Sequence, residues 1–102
     1  MTDAELAAHL AETAGRLLLD VRASGTLEGK ALGKAGDEVA NAFLVKALHE
    51  ARGEDGLLSE ESPPREGRSG AWWVVDPLAG THAFTEGLAH WGPTVARVWR
   101  AG

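Results

Sequence analysis

The chain contains no cysteine, which excludes disulfide frameworks, thiolate zinc sites and cysteine nucleophiles together and suits a reducing compartment. It has no apolar run approaching the roughly 18 residues that span a bilayer. Its acidic start at Asp3 and Glu5 lacks the basic flank of a signal peptide. Clusters of lysine and arginine are missing too. With a formal net charge of -5, the chain lacks the basic field that a nucleic-acid polymer or an anionic membrane surface demands. These absences predict a cytoplasmic protein. Internal repeats, heptads and low-complexity tracts are also lacking, and 102 residues allow one domain with a modest core.

What is present reads as alternating helices and short strands. Thr2 and Glu5 have capping-box spacing, and Leu6, Leu10, Ala14, Leu17, Leu18 and Val21 recur at helical intervals, predicting a first helix to about Arg22. Gly25, Gly29, Gly33 and Gly36 follow, predicting a loop that ends at Asp37. Apolar positions recur at helical spacing from Val39 to Ala51, with Gly53 as the stop, predicting a second helix. Leu57 to Ser59 reads as a short strand, Ser62 to Gly70 as a surface loop, and Trp72 to Val75 as the central strand. A helical turn from Thr81 through Phe84 and a strand from Thr94 to Trp99 complete the pattern, with Arg97 interrupting the last strand.

The chemistry concentrates where strands end. Asp76 closes an apolar run and is followed by Pro77. An acid at the end of a buried strand suits a ligand site, although Asp-Pro also initiates ordinary turns. Leu78 can contribute only its backbone carbonyl, a usable ligand for a hard cation. Glu60 and Glu61 follow the strand at Leu57 to Ser59, and their side chains point to opposite sides, so one of them, Glu60, is the candidate ligand. The plain alternative is two solvated acids. Gly80 and Thr81 can open a helical turn onto a phosphate oxygen, as many ordinary turns also do. Asp37 reads locally as an N-cap or first-turn acid. His9 and His49 read as helix-surface residues, and His82 alone lies near the candidate site. Gly29-Lys30 and Gly33-Lys34 are not Walker loops, because the glycine spacing is wrong and no Ser or Thr follows either lysine.

In their order, Asp37, Ser59-Glu60-Glu61-Ser62 and Asp76-Pro77-Leu78-Ala79-Gly80-Thr81 resemble the N-terminal half of the inositol monophosphatase family. Gly36-Asp37-Glu38-Val39-Ala40-Asn41, Leu57 to Glu61, and Phe84 with Glu86-Gly87 and Trp91 are most similar to its 3'(2'),5'-bisphosphate nucleotidases of sulfur assimilation. The resemblance implies a layered α/β fold, two long helices on a small sheet. It also implies a magnesium-dependent, lithium-sensitive phosphomonoesterase acting on a small phosphorylated metabolite. By that pattern Glu60, Asp76 and the Leu78 carbonyl bind Mg2+, Asp37 and Thr81 orient the attacking water, and the amides around Gly80 and Thr81 hold the phosphate.

Two departures temper that expectation. The family reads Asp-Pro-Leu-Asp-Gly-Thr where this chain has Ala79, so a second metal keeps only Asp76. The sequence also ends before the family's C-terminal half, which predicts a single, incomplete domain of impaired activity, or a non-catalytic remnant that binds metal or phosphate. An uncovered sheet face, with Trp91 and Trp99 exposed, predicts self-association or pairing with a complementing C-terminal half.

Overall fold

A computed structural model describes residues 1–99, in the order α1 (Asp3–Ala23), α2 (Gly29–Ala51), β1 (Gly56–Ser59), β2 (Ser62–Arg65), β3 (Ala71–Ala79), α3 (Thr81–Thr85) and β4 (Gly92–Trp99). Helix α1 begins at the predicted capping box: Glu5 N donates to Thr2 Oγ1 at 3.1 Å and Thr2 N donates to Glu5 Oε1 at 3.0 Å. Leu6, Leu10, Ala14 and Leu18 form its buried stripe. Each leucine stabilises the fold by about 1.5–3 kcal/mol relative to exposure.

Helix α2 departs from the sequence reading. The expected glycine-rich loop is absent from 29 onward, and Asp37 is not an N-cap: it sits about two turns inside a helix whose N-cap is Glu28. The glycines serve proximity. A Cβ on Gly33 would stand 2.9 Å from Thr81 Cγ2, and one on Gly36 would stand 3.1–3.3 Å from Leu18, Phe84 and Leu78. A helical glycine costs about 1 kcal/mol relative to alanine, and here that cost is offset by close packing of α2 on α3 and β3.

The four strands form one sheet in the order β2-β1-β3-β4, with β1 parallel to β3 and the other pairs antiparallel. Leu57, Trp73 and Val75 join Leu10, Leu44 and Leu48 in a core that α1 and α2 share on one face of the sheet. This is the layered α/β arrangement that the sequence led us to expect. Ser62–Arg65, expected in a surface loop, instead forms β2 at the sheet edge, where Pro63 and Pro64 are tolerated because an edge strand has donors to spare. Trp91, expected to be exposed, is partly buried edge-on against Phe84, with centroids 4.9 Å apart, whereas Trp99 is 67% exposed.

Arg97, which interrupts the apolar pattern of β4, turns out to tie the fold together. Its Nε donates to Asp55 Oδ2 at 3.0 Å, and its guanidinium lies 3.3 Å from Asp3 and over the Trp99 ring at 4.6 Å. Asp55 is buried and also accepts from Trp73 Nε1 at 2.9 Å and Ser69 Oγ at 2.5 Å. Burial alone would raise the Asp55 pKa, but hydrogen bonds from Arg97, Ser69 and Trp73 outweigh it and hold the carboxyl below its ordinary value. A depressed carboxyl stabilises the fold above its ordinary range, and that contribution fades as pH falls through the folded value. Arg97→Ala is expected to cost about 2–4 kcal/mol in urea unfolding at neutral pH, with the gap to the parent narrowing in acid. An equal gap at both pH values would mean that Arg97 acts through packing alone.

Candidate functional site

Strand β3 continues past Asp76 to Ala79, but its register with β4 shifts between those two residues. At this bulge Leu78 N donates to Asp76 Oδ1 at 3.2 Å, and Thr81 Oγ1 donates to the Leu78 carbonyl at 3.1 Å. Gly80 then turns the chain into α3 at φ 78°, and a Cβ there would meet the His90 carbonyl at 2.7 Å. Only glycine suits that corner. Glu60 and Glu61 occupy the two-residue turn between β1 and β2. Ser59 Oγ donates to Asn41 Oδ1 at 2.6 Å and accepts from Glu61 N at 3.3 Å, which ties this turn to α2.

These segments meet at two neighbouring recesses. A cavity of about 480 Å³ is lined by Lys30, Lys34 and Asp37 from α2, by Glu61, and by Thr81 and His82 from α3. A groove of about 320 Å³ on the outer sheet face holds Glu60, Asp76 and Thr94 with Leu58, Val74 and Ala96. Asp37 feels both. Burial, then the charges of Glu61, Asp76 and Glu60, raise its pKa to about 6. Four acids thus converge on one corner from three separate stretches of sequence. Ala79 lies to the side, in a shallow groove with Gly80, His90 and Gly92.

The two glutamates divide as expected, though from a turn and not from strand positions, with Glu61 in the Asp37 cavity and Glu60 beside Asp76. Glu61 as a neighbour of Asp37 was missed by the sequence reading, because nothing in a Glu-Glu pair says which recess each faces. Lys30 and Lys34 were set aside with the rejected Walker loop, although their i, i+4 spacing with Asp37 close behind puts all three on one side of a helix. His9 and His49 are exposed on the helices as expected, and His82 lines the cavity.

Among the described residues no group of three or more His, Cys, Asp or Glu side chains is assembled closely enough to hold a metal ion by itself. Glu60, Asp76 and the Leu78 carbonyl are nevertheless an all-oxygen set of the kind a hard cation takes. A carbonyl oxygen has two lone pairs, so the bond from Thr81 does not exhaust Leu78. The mutual repulsion recorded at Asp37 is what a bound cation would relieve. The residues fit one such ion, and Ala79 offers no side-chain carboxylate to a second.

The profile of the inositol monophosphatase family matches residues 2–97. The chain belongs to this family. It is 43% identical over 98% of its length to the 3'-phosphoadenosine 5'-phosphate phosphatase of Mycobacterium leprae, and 46% identical over 85% of its length to the one of Mycobacterium bovis. It spans 38% and 34% of those proteins. Among solved structures, the extragenic suppressor protein suhB of Bartonella henselae superposes with a TM-score of 0.79 at 28% identity, covering 93% of this chain and 38% of that one. Inositol monophosphatase II of Staphylococcus aureus gives 0.81 at 22% identity, over 97% of this chain and 38% of that one, a likeness of fold.

The raised carboxyl of Asp37 has a consequence for stability. Its contribution is full below the ordinary aspartate range and is lost as pH rises through about 6. Asp37→Asn is therefore expected to raise the melting temperature at pH 8 by about 2–6 °C and to leave it nearly unchanged at pH 4, read by scanning calorimetry without added metal. A melting temperature lowered at pH 8 would contradict the crowding of negative charge at this corner.

Proposed function

We propose that the chain carries the metal- and water-handling part of a magnesium-dependent phosphomonoesterase that acts in the cytoplasm on 3'-phosphoadenosine 5'-phosphate or a close analogue. The observation that carries this reading is the convergence of Asp37, Glu60, Glu61 and Asp76 on the Thr81 corner. The relatives named above favour this substrate class. In this reading Glu60, Asp76 and the Leu78 carbonyl hold Mg2+, which supplies positive charge to the phosphoryl oxygens. Thr81 Oγ1 donates a hydrogen bond to the Leu78 carbonyl, so its lone pairs are left to accept a hydrogen bond from a water. Asp37, with a pKa near neutrality, takes that water's other proton as its oxygen bonds to phosphorus and the ester P–O bond breaks. The amides of Gly80 and Thr81 face the phosphate, and the leaving hydroxyl takes its proton from solvent.

Ala79 favours a second reading, a non-catalytic module that binds metal or phosphate, because two-metal hydrolysis needs charge on both the attacking and the leaving oxygen. Phosphate release from adenosine 3',5'-bisphosphate separates the two. The phosphomonoesterase reading expects a slow, magnesium-dependent, lithium-suppressed rate that Ala79→Asp raises by about tenfold or more and Asp37→Asn removes. A single weak magnesium site by calorimetry, with no turnover even in the Ala79→Asp variant, would replace it with the binding module.

The exposed residues of the outer sheet face favour a partner that adds a second layer. Leu58, Val74 and Val98 are 40%, 40% and 44% exposed there, opposite the face that the helices cover. A second layer on this face, from a complementing C-terminal half or a second copy, would bury them. Sedimentation velocity of the chain alone is expected to show mass rising with concentration, and a strict monomer at high concentration would argue against this partner.

A further inference from the structure

The geometry points to a second anion subsite at Lys30 and Lys34, one that holds the non-reacting phosphate of a bisphosphate whose other phosphate sits between Asp37 and Thr81. The position of the reacting phosphate rests on the phosphomonoesterase reading; the subsite itself rests on the lysines. The chain has three lysines, at 30, 34 and 46, and two of them line the cavity that contains Asp37 and Thr81. Among the described residues every arginine has a protein partner: Arg16, Arg52, Arg68 and Arg97 form ion pairs, Arg22 bonds carbonyls, and Arg65 meets His49. Among the described residues Lys30 and Lys34 have no such partner.

Their placement also runs against the helix that carries them. Like charges at i, i+4 repel on a helix surface, and Lys30 stands in the first turn of α2, where no acid is present and the helix dipole disfavours a cation. Rules of local stability broken in a cavity wall are expected where a ligand repairs them. A phosphate answers both costs. The position is set by Gly33, whose missing side chain lets this turn of α2 press on Thr81 and Thr85. Lys34 lies about one helical turn and Lys30 about two turns from Asp37, roughly 5 and 10 Å along the axis. One turn is comparable to the separation of the two phosphates on one ribose. The cavity also holds Glu61, His82 and Glu86, so its negative charges lie toward the Asp37 end and around α3, and the α2 wall is its basic side.

The test is calorimetric titration of the whole chain, in magnesium buffer, with adenosine 3',5'-bisphosphate and adenosine 3'-monophosphate. The quantity read is the ratio of their affinities. The parent is expected to bind the bisphosphate about tenfold more tightly, the effect of two exposed charge contacts. Lys30→Ala/Lys34→Ala should bring the ratio close to one, while Lys46→Ala, outside the cavity, should keep it. Because all three lysines are exposed, the variants should fold, which circular dichroism checks. A ratio near one in the parent, or one that survives the double substitution, overturns the subsite. Phosphate release is measured separately: turnover with a lysine-independent ratio defeats the subsite alone, and a lysine-dependent ratio without turnover supports it while defeating the phosphomonoesterase reading.

Discussion

The close approach of α2 to the corner between β3 and α3 is the constraint on which the site depends. Gly33 and Gly36 permit it, since side chains there would collide with Thr81 on one side and with Leu18, Phe84 and Leu78 on the other. Without that contact Asp37 would stand away from Thr81 and from the acids of the β1–β2 turn and the β3 bulge that crowd its carboxyl. Packing at two missing side chains therefore sets the electrostatics of a corner several residues away.

The molecule treats its charges in two opposite ways. Asp55 is buried but fully answered by Arg97, Ser69 and Trp73, and its carboxyl is held down. Asp37 is less buried, meets three further acids and forms no ion pair among the described residues, and its carboxyl is pushed up. Perturbed carboxyls cluster at functional sites, and on that ground Asp37 is the candidate and Asp55 the structural group.

Much of this was legible in the sequence, for identifiable reasons. The capping box of α1, its leucine stripe and the apolar run into Asp76 are local signals, and the structure keeps them. Asp76, Leu78, Gly80 and Thr81 form a contiguous stretch, so their grouping needed no tertiary knowledge. The first turns of α2 were misread because glycine has two unrelated uses, conformational freedom and lack of volume, and only the neighbours of Gly33 and Gly36 reveal which applies. Arg97 looked out of place in β4 because its partners, Asp3 and Asp55, lie far away in sequence. Glu60 and Glu61 form the turn between β1 and β2, and which recess each enters depends on where α2 lies.

Arg97 joins the first turn of α1 to the last described strand through Asp3. The two residues lie far apart in sequence, so on a ribosome α1 would emerge long before the residue that locks it in place. The helices can pair early through their leucine stripes, but the final order of the sheet must wait for β4. A contact between residues so distant in sequence favours an all-or-none transition once β4 has formed over gradual accumulation of structure.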